Sequence, residues 1–297
     1  MKLTGRIVAI TGGGAGLGAQ ACRIARERGA ARIGVIDLNA EAAEKIAAEV
    51  GGMPITADVT DEAQIRAAVD QLGGVDIWVH NAGIGAQTTP FSDDGIWQRM
   101  WDVHVMGVVY ATRALLPAWI ERGEGHFAMV ASANALTTNP MSAAYAASKH
   151  AELALAEWMA MTYGPRGVIT SCFCPKGMLT PMLIAHADDN EYVRESVRTA
   201  VTSEAAATML IDLIESDRFL STTYPPRNGG VCPAGDRSRR LHRRTAGHAP
   251  QAGARLRTAP DLLTEPIGSC ERRTNGQFEQ FWSPGPPGLK VGPRCAA

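Results

Sequence analysis

Residues 1–225 predict an α/β fold: a doubly wound, seven-stranded parallel sheet with helices on both faces. Two observations carry that prediction. Short β-branched apolar runs alternate with longer amphipathic stretches, and a glycine-rich turn joins the first run to the first helix. In chain order the strands are expected at RIVAIT (6–11), RIGVID (32–37), PITADV (54–59), DIWVHN (76–81), HFAMVAS (126–132), GVITSCF (167–173) and RFLSTTY (218–224). Between them, GAQACRIARERGA, NAEAAEKIAAEV and DEAQIRAAVDQLG place apolar residues at three- and four-residue intervals, so each offers one apolar face to a sheet. Ligands of such sheets sit beyond the carboxyl ends of the strands, and chemistry is expected just after them.

The turn TGGGAGLG, Thr11 to Gly18, follows the first strand and opens a helix, and Gly14, Gly16 and Ala19 satisfy the G-x-G-x-x-A fingerprint of a Rossmann-type dinucleotide site. Glycines let the backbone approach a pyrophosphate, whose charge meets amides at the helix start. Gly12, Gly14, Ala15, Gly16, Leu17 and Gly18 are the expected contacts. Asp37 ends the second strand about 20 residues on, where a carboxylate accepts hydrogen bonds from ribose hydroxyls and repels a 2′-phosphate. No basic residue stands at Ala15, Leu38 or Asn39 to hold that phosphate, so NAD is expected over NADP, with Leu38 beside it. The alternative is an Asp that caps a helix or faces solvent.

Lys and Arg number 17 against 25 Asp and Glu in residues 1–225, and 12 against 5 in residues 226–297. The tail 226–297 is basic, scatters Pro and Gly at no fixed period, and is expected to be irregular or disordered. RSRRLHRR lacks aromatic interleaving, so a role in nucleic-acid binding is not expected, although a partner-binding segment stays open. Arg outnumbers Lys eleven to one there, which suggests the hypothesis of a shifted reading frame; translating the other two frames past codon 225 tests it. Six cysteines form no C-x-x-C, so no metal site is expected, and Cys172 and Cys174 should share one face of a buried strand. No apolar run approaches the roughly 20 residues that span a bilayer, and GRIVAITG opens the chain where a leader would stand. A cytoplasmic protein without membrane attachment is the expectation.

Tyr145 and Lys149 lie four apart in SAAYAASKHAEL, on one side of a helix, where they either act on one object or simply pack. Spacing alone leaves both readings open. In combination with TGGGAGLG, HNAG at 80–83, Ser132 and YAASK at 145–149, residues 1 to about 225 resemble the classical short-chain dehydrogenase/reductase family, in order and in spacing. The resemblance implies that Tyr145 is the general acid or base, that Lys149 favours its phenolate and binds the nicotinamide ribose, and that Ser132 holds the reacting oxygen. It further implies that Asp58 and Val59 flank the adenine and that Asn81, Ala82 and Gly83 line the adenosine side. Pro175, Met178 and Thr180 would then cradle the nicotinamide amide. A homodimer or homotetramer through helices around 93–122 and 144–163 is also implied.

Three departures stand against that pattern. His104 occupies the position of an Asn whose main-chain carbonyl, at a helix distortion, holds a water linking Lys149 to solvent. Either His104 preserves this relay through its own main-chain carbonyl, or it even joins it as a titrating group with a pKa near 6.5, or the relay is impaired. Lys176 replaces a Gly after Pro175, its side chain lying over apolar surface or crowding the cofactor. The usual closing segment is replaced by the tail.

The substrate pocket is expected from Ile84 to Phe91, Ala133 to Met141 and Met178 to Tyr192, with MLTPMLIAH as a lid and His186 the only candidate charged anchor. These stretches are mostly apolar and rich in Met, so the expected reaction moves a hydride between NAD and a hydrophobic secondary alcohol or ketone. The rival reading is a catalytically impaired nucleotide-binding regulator or scaffold of the same fold.

Overall fold

The computed structural model describes residues 1–179 and 191–223. Thr180, His186 and the rest of the expected lid after Leu179 lie outside the described residues, as do 187–190 and the tail 226–297. The strands are β1 (Ile7–Thr11), β2 (Arg32–Asp37), β3 (Met53–Thr56), β4 (Ile77–His80), β5 (Gly125–Val130), β6 (Val168–Cys174), β7 (Met178–Leu179), β8 (Val201–Thr202) and β9 (Leu220–Thr222). Seven of them form one sheet in the order β3-β2-β1-β4-β5-β6-β9, every pairing parallel, while β7 and β8 pair apart from it.

Both faces of the sheet are apolar because both are covered. Ile77 and Val79 of β4, with Ala128 and Val130 of β5, face a layer built from α1 (Gly16–Glu27) and α2 (Ala40–Val50). Trp78, Phe127 and Met129 point the other way, toward α3 (Glu62–Gln71). Cys172 and Cys174 of β6 share this second face with their Sγ atoms 3.9 Å apart, free thiols in a packed core as expected.

Helix ends follow local chemistry. Asn39 caps α2 by accepting from Ala42 N, and Asp61 caps α3 by accepting from the amides of Ala63 and Gln64. Beyond α3, α4 (Asp94–Trp101) runs without a break through a π turn (Asp102–Met106) into α5 (Gly107–Arg122). This continuous stretch is long and apolar enough to cross a membrane, but half of its apolar window is buried in the fold, where Val108, Ala111 and Leu115 join the second core layer. The remaining helices are α6 (Ala143–Tyr163), α7 (Glu191–Arg198) and α8 (Ser203–Glu215), α8 packing on α1.

β3 and β5 end earlier than their apolar runs suggest, each for a local reason. β3 stops at Thr56, since Asp58 N donates to Gln64 Oε1 and Asp58 Oδ1 accepts from Thr60, replacing ladder bonds with side-chain bonds. β5 stops at Val130, and Ser132 instead caps a 3₁₀ turn (Ala133–Ala135), accepting from Asn134 N at 3.1 Å. The chain leaves β1 toward β2 on one side and reaches β4 on the other, so the loops after β1 and β4 diverge and open a crevice.

Candidate active site

The loop after β1 is locked from beneath. Thr11 Oγ1 accepts from the amides of Asn81 and Ala82, both at 3.0 Å, and Asn81 Nδ2 donates to the carbonyls of Thr11 (2.9 Å) and Gly12 (3.2 Å). A Cβ at Gly18 would stand 2.1 Å from the Gly12 carbonyl oxygen, so only glycine lets α1 start this close to the loop. No side chain caps α1 at Ala15, and its first residues, Gly16 and Leu17, line the crevice. Asp37 does not cap α2, a task taken by Asn39; its Oδ2 accepts from Gly14 N and its Oδ1 from Asn39 N, each at 2.9 Å.

The crevice is a cavity of about 390 Å³. Gly12, Ala15, Gly16, Leu17, Asp37, Leu38, Asp58, Val59, Asn81, Ala82, Gly83, Tyr145, Lys149 and Met178 all line it. Gly14 and Gly18 sit behind it as parts of the loop's brace, and Pro175 lines the neighbouring cavity. Sequence reasoning missed Arg99, which enters the crevice from α4 and pairs with Asp58 at 3.5 Å. An Arg ahead of a π turn carries no local signal of where it will point.

A second cavity, also about 390 Å³, has Tyr145 in its wall as well. Ala131, Tyr145 and Met178 are shared by both. Asn134, Asn139 and Met141 line the second cavity from the segment after β5, and Gly85, Ala86 and Gln87 from the segment after β4, inside the expected ranges, with Ser132 just ahead of them. Its surface is mostly apolar, but Lys176, Val193, Glu195 and Ser196 also line it, the last three lying on α7 beyond the expected boundary. Lys176 is absent from the crevice wall: its Nζ donates to Thr199 Oγ1 at 2.8 Å, so it does not crowd that space.

Lys149 is buried, with Nζ 5.9 Å from the Tyr145 ring centre. It donates to the Val130 carbonyl (3.0 Å) and to Glu152 Oε2 (2.7 Å). Burial acts to lower its pKa, but the charges of Glu152 and Tyr145 outweigh this and the net shift is upward. Burial pushes the Glu152 carboxyl up to about 7 against the pull of Lys149. Glu152 was not singled out from the sequence, although an acidic residue on the same helical stripe as Leu153 and Ala156 is a legible anomaly.

His104 sits in the π turn, fully buried, and its ring meets the Tyr145 ring edge-on with centroids 5.5 Å apart. Its expected pKa near 6.5 does not hold: burial, then the charge of Lys149, pushes it to about 2. The ring is therefore neutral and bonded through both nitrogens, which disfavours a titrating role, whereas a relay through the main-chain carbonyl of the π turn does not depend on the ring. The helix distortion expected at this position is present as the π turn.

A doubly wound parallel sheet with a glycine-braced helix start at its switch point, and a Tyr–Lys pair between crevice and pocket, defines a dinucleotide-binding protein of the oxidoreductase type. Residues 6–191 match the family model described as short chain dehydrogenase, and the chain belongs to that family. It is 30% identical over 241 residues to 2-dehydro-3-deoxy-L-rhamnonate dehydrogenase (NAD(+)) of Sphingomonas sp. (strain SKA58), covering 77% of this chain and 96% of the relative. It is 34% identical over 227 residues to oxidoreductase UcpA of Salmonella typhimurium, covering 72% and 85%. Among solved structures, 3-ketoacyl-(acyl-carrier-protein) reductase from Brucella melitensis, complexed with NADH, superimposes with a TM-score of 0.69 at 27% identity, covering 74% of this chain and 97% of that one.

Proposed function

We propose that the protein is an NAD-dependent dehydrogenase/reductase that moves a hydride between NAD and a secondary alcohol or ketone of mainly hydrophobic character. The observation that carries this reading is Tyr145, which faces both the glycine-braced crevice and the apolar pocket. The crevice suits a dinucleotide: a Cβ would fill the close approach at Gly18, the start of α1 has no side-chain cap, and Asp37 stands in the wall with a carboxylate for ribose hydroxyls. When bound, the nicotinamide supplies the hydride chemistry.

The chain's own residues divide the remaining work. Amides at the start of α1, at Gly16 and Leu17, meet the pyrophosphate beside Gly12 and Ala15, with Gly14 and Gly18 bracing the loop; Asp58 and Val59 flank the adenine, and Asn81, Ala82 and Gly83 close the adenosine side. Pro175 and Met178 border the nicotinamide amide. Ser132 orients the reacting oxygen with its hydroxyl, and Tyr145 exchanges a proton with that oxygen. A free phenol ionises near pH 10, so a neighbouring cation is needed to favour the phenolate, and Lys149 is that cation. NAD is favoured over NADP because Asp37 repels a 2′-phosphate, while the nearby Arg99 is engaged by Asp58. The test is a panel of secondary alcohols with NAD, followed by absorbance of the reduced cofactor. Wild type should turn over at least one of them, and Tyr145→Phe should lose about 10²–10⁴-fold in kcat; activity that survives the substitution sinks the mechanism.

A further inference from the structure

Glu152 has no task in the reaction above. It is wholly buried on the inner side of α6, about two turns beyond Tyr145, in the core layer that holds Leu153 and Ala156. Its Oε2 accepts from Lys149 Nζ at 2.7 Å, and its Oε1 is buried without a hydrogen-bond partner. Lys149 is also tied to the Val130 carbonyl at the end of β5. A carboxyl with an idle oxygen in an apolar layer is a poor route to stability, since a hydrophobic residue of that size packs there without the desolvation cost. What Glu152 does have is a direct bond to the cation on which Tyr145 depends.

We propose that Glu152 is a positioning residue for the reaction: it anchors the Lys149 ammonium against the end of β5 and, when ionised, screens the positive charge that Lys149 offers to the Tyr145 phenol. The inference rests on the roles given to Tyr145 and Lys149 above. Among the described residues, the other titratable groups facing the pair are His80 from β4, His104 from the π turn and Cys172 from β6. Burial holds both rings neutral, at about 3 for His80 and about 2 for His104, while the bond with Cys174 and then burial push the Cys172 thiol up and keep it protonated. Through neutral pH these neighbours keep one charge state, whereas Glu152, at about 7, changes its own. Charge on Glu152 therefore couples to the ease with which the Tyr145 proton leaves.

The experiment reads Tyr145 directly, without cofactor or turnover. Phenolate absorbance is followed against pH as the difference between the wild type and Tyr145→Phe, and again between Glu152→Gln and the double variant with Tyr145→Phe. Removing a unit charge about 10 Å along the helix should lower the midpoint by about one pH unit in the Gln background. Glu152→Met, which fills similar space without charge, should move it the same way. An unmoved midpoint overturns the proposal, as does an upward one, which would mean that Glu152 serves only to keep Lys149 protonated. If neither variant folds, as judged by thermal melting, Glu152 is a structural residue and the proposal also fails. A lowered midpoint in a protein that oxidises no alcohol would sink the dehydrogenase reading and leave this coupling intact; Tyr145-dependent turnover with an unmoved midpoint would do the reverse.

Discussion

His104 and Ser148 are joined by a 2.9 Å hydrogen bond that ties the π turn to the helix carrying Tyr145. The Ile84 amide donates to Nε2 at 3.1 Å, so the neutral ring carries its proton on Nδ1 and donates it to Ser148 Oγ. Ser148 in turn donates to the Tyr145 carbonyl at 3.1 Å. Both ring nitrogens are committed to holding the loop after β4 against α6. His104→Asn should therefore leave the shape of the pH–rate profile unchanged between about pH 6 and 9. Stability should fall by about 1–3 kcal/mol, read from urea denaturation, because Ile84 N and Ser148 lose a shared partner. Disappearance of a limb of the profile would restore His104 as a proton carrier.

Asp37 accepts from the Gly14 and Asn39 amides, which aim its carboxylate along the crevice wall. Asp37→Ser should lower the ratio of kcat/KM with NAD to that with NADP by about tenfold or more, since one repulsive charge and one ribose acceptor are removed together. Steady-state kinetics with both cofactors measures it, and an unchanged ratio removes Asp37 from cofactor selection.

Stability should fall in acid. Burial pushes the pKa of His80 to about 3, of His104 to about 2 and of His126 to about 3, against 6.5 in the unfolded chain. Between these values the unfolded chain binds up to three more protons than the folded one, so this stability is present above about pH 6.5 and is lost on acidification, at up to about 4 kcal/mol per pH unit. Glu152 works in the opposite sense: its folded value of about 7 lies above its usual 4.5, so its contribution is present at low pH and lost as pH rises. In the window from 4.5 to 6.5 three histidines oppose one carboxyl, and the urea midpoint should drop steadily from pH 7 to pH 5. His126→Gln, outside the active site and bonded through Nε2 to Ser171, should remove roughly a third of the histidine slope. A flat wild-type profile would show that these rings are open to solvent.

A homodimer or homotetramer is expected through α4, α5 and α6. Trp101 on α4 is 43% exposed and Trp158 on α6 is 49% exposed, large apolar areas for a free surface. Light scattering should give a mass of two or four chains, and Trp158→Glu should lower it; a wild-type mass of one chain at micromolar concentration ends this expectation.

Much of the architecture was legible from periodicity. RIGVID corresponds to β2 without adjustment, and the helical pattern from Asn39 to Val50 corresponds to α2 with Asn39 as its cap. Alternation in DIWVHN separates Ile77 and Val79 from Trp78 onto opposite core layers. The ends of β3 and β5 were misread because Asp58 and Ser132 divert the backbone through their own side-chain bonds, which apolar runs do not register. The small β7–β8 pair was missed because two residues carry too short a pattern. Among the site residues, the loop, Asp37, Ser132, Tyr145 and Lys149 stood out by type and order. Arg99 and the three residues from α7 did not, because each reaches its cavity through packing between distant segments; the pairing of Glu152 with Lys149 is local, three residues along one helix, but their burial is not.

By itself the sequence determined which faces are buried, where the chain turns tightly, and which residue types stand at the ends of which strands. Those properties are encoded in neighbours a few positions apart, where periodicity and glycine geometry act. Tertiary structure alone decided that Tyr145 faces two cavities, that His104 is a neutral brace, and that the Glu152–Lys149 pair is taken into the core. The reason is physical: a side chain's charge state and bonding partners depend on how far packing removes it from water and on what distant strands bring beside it, and neither quantity is local to the chain.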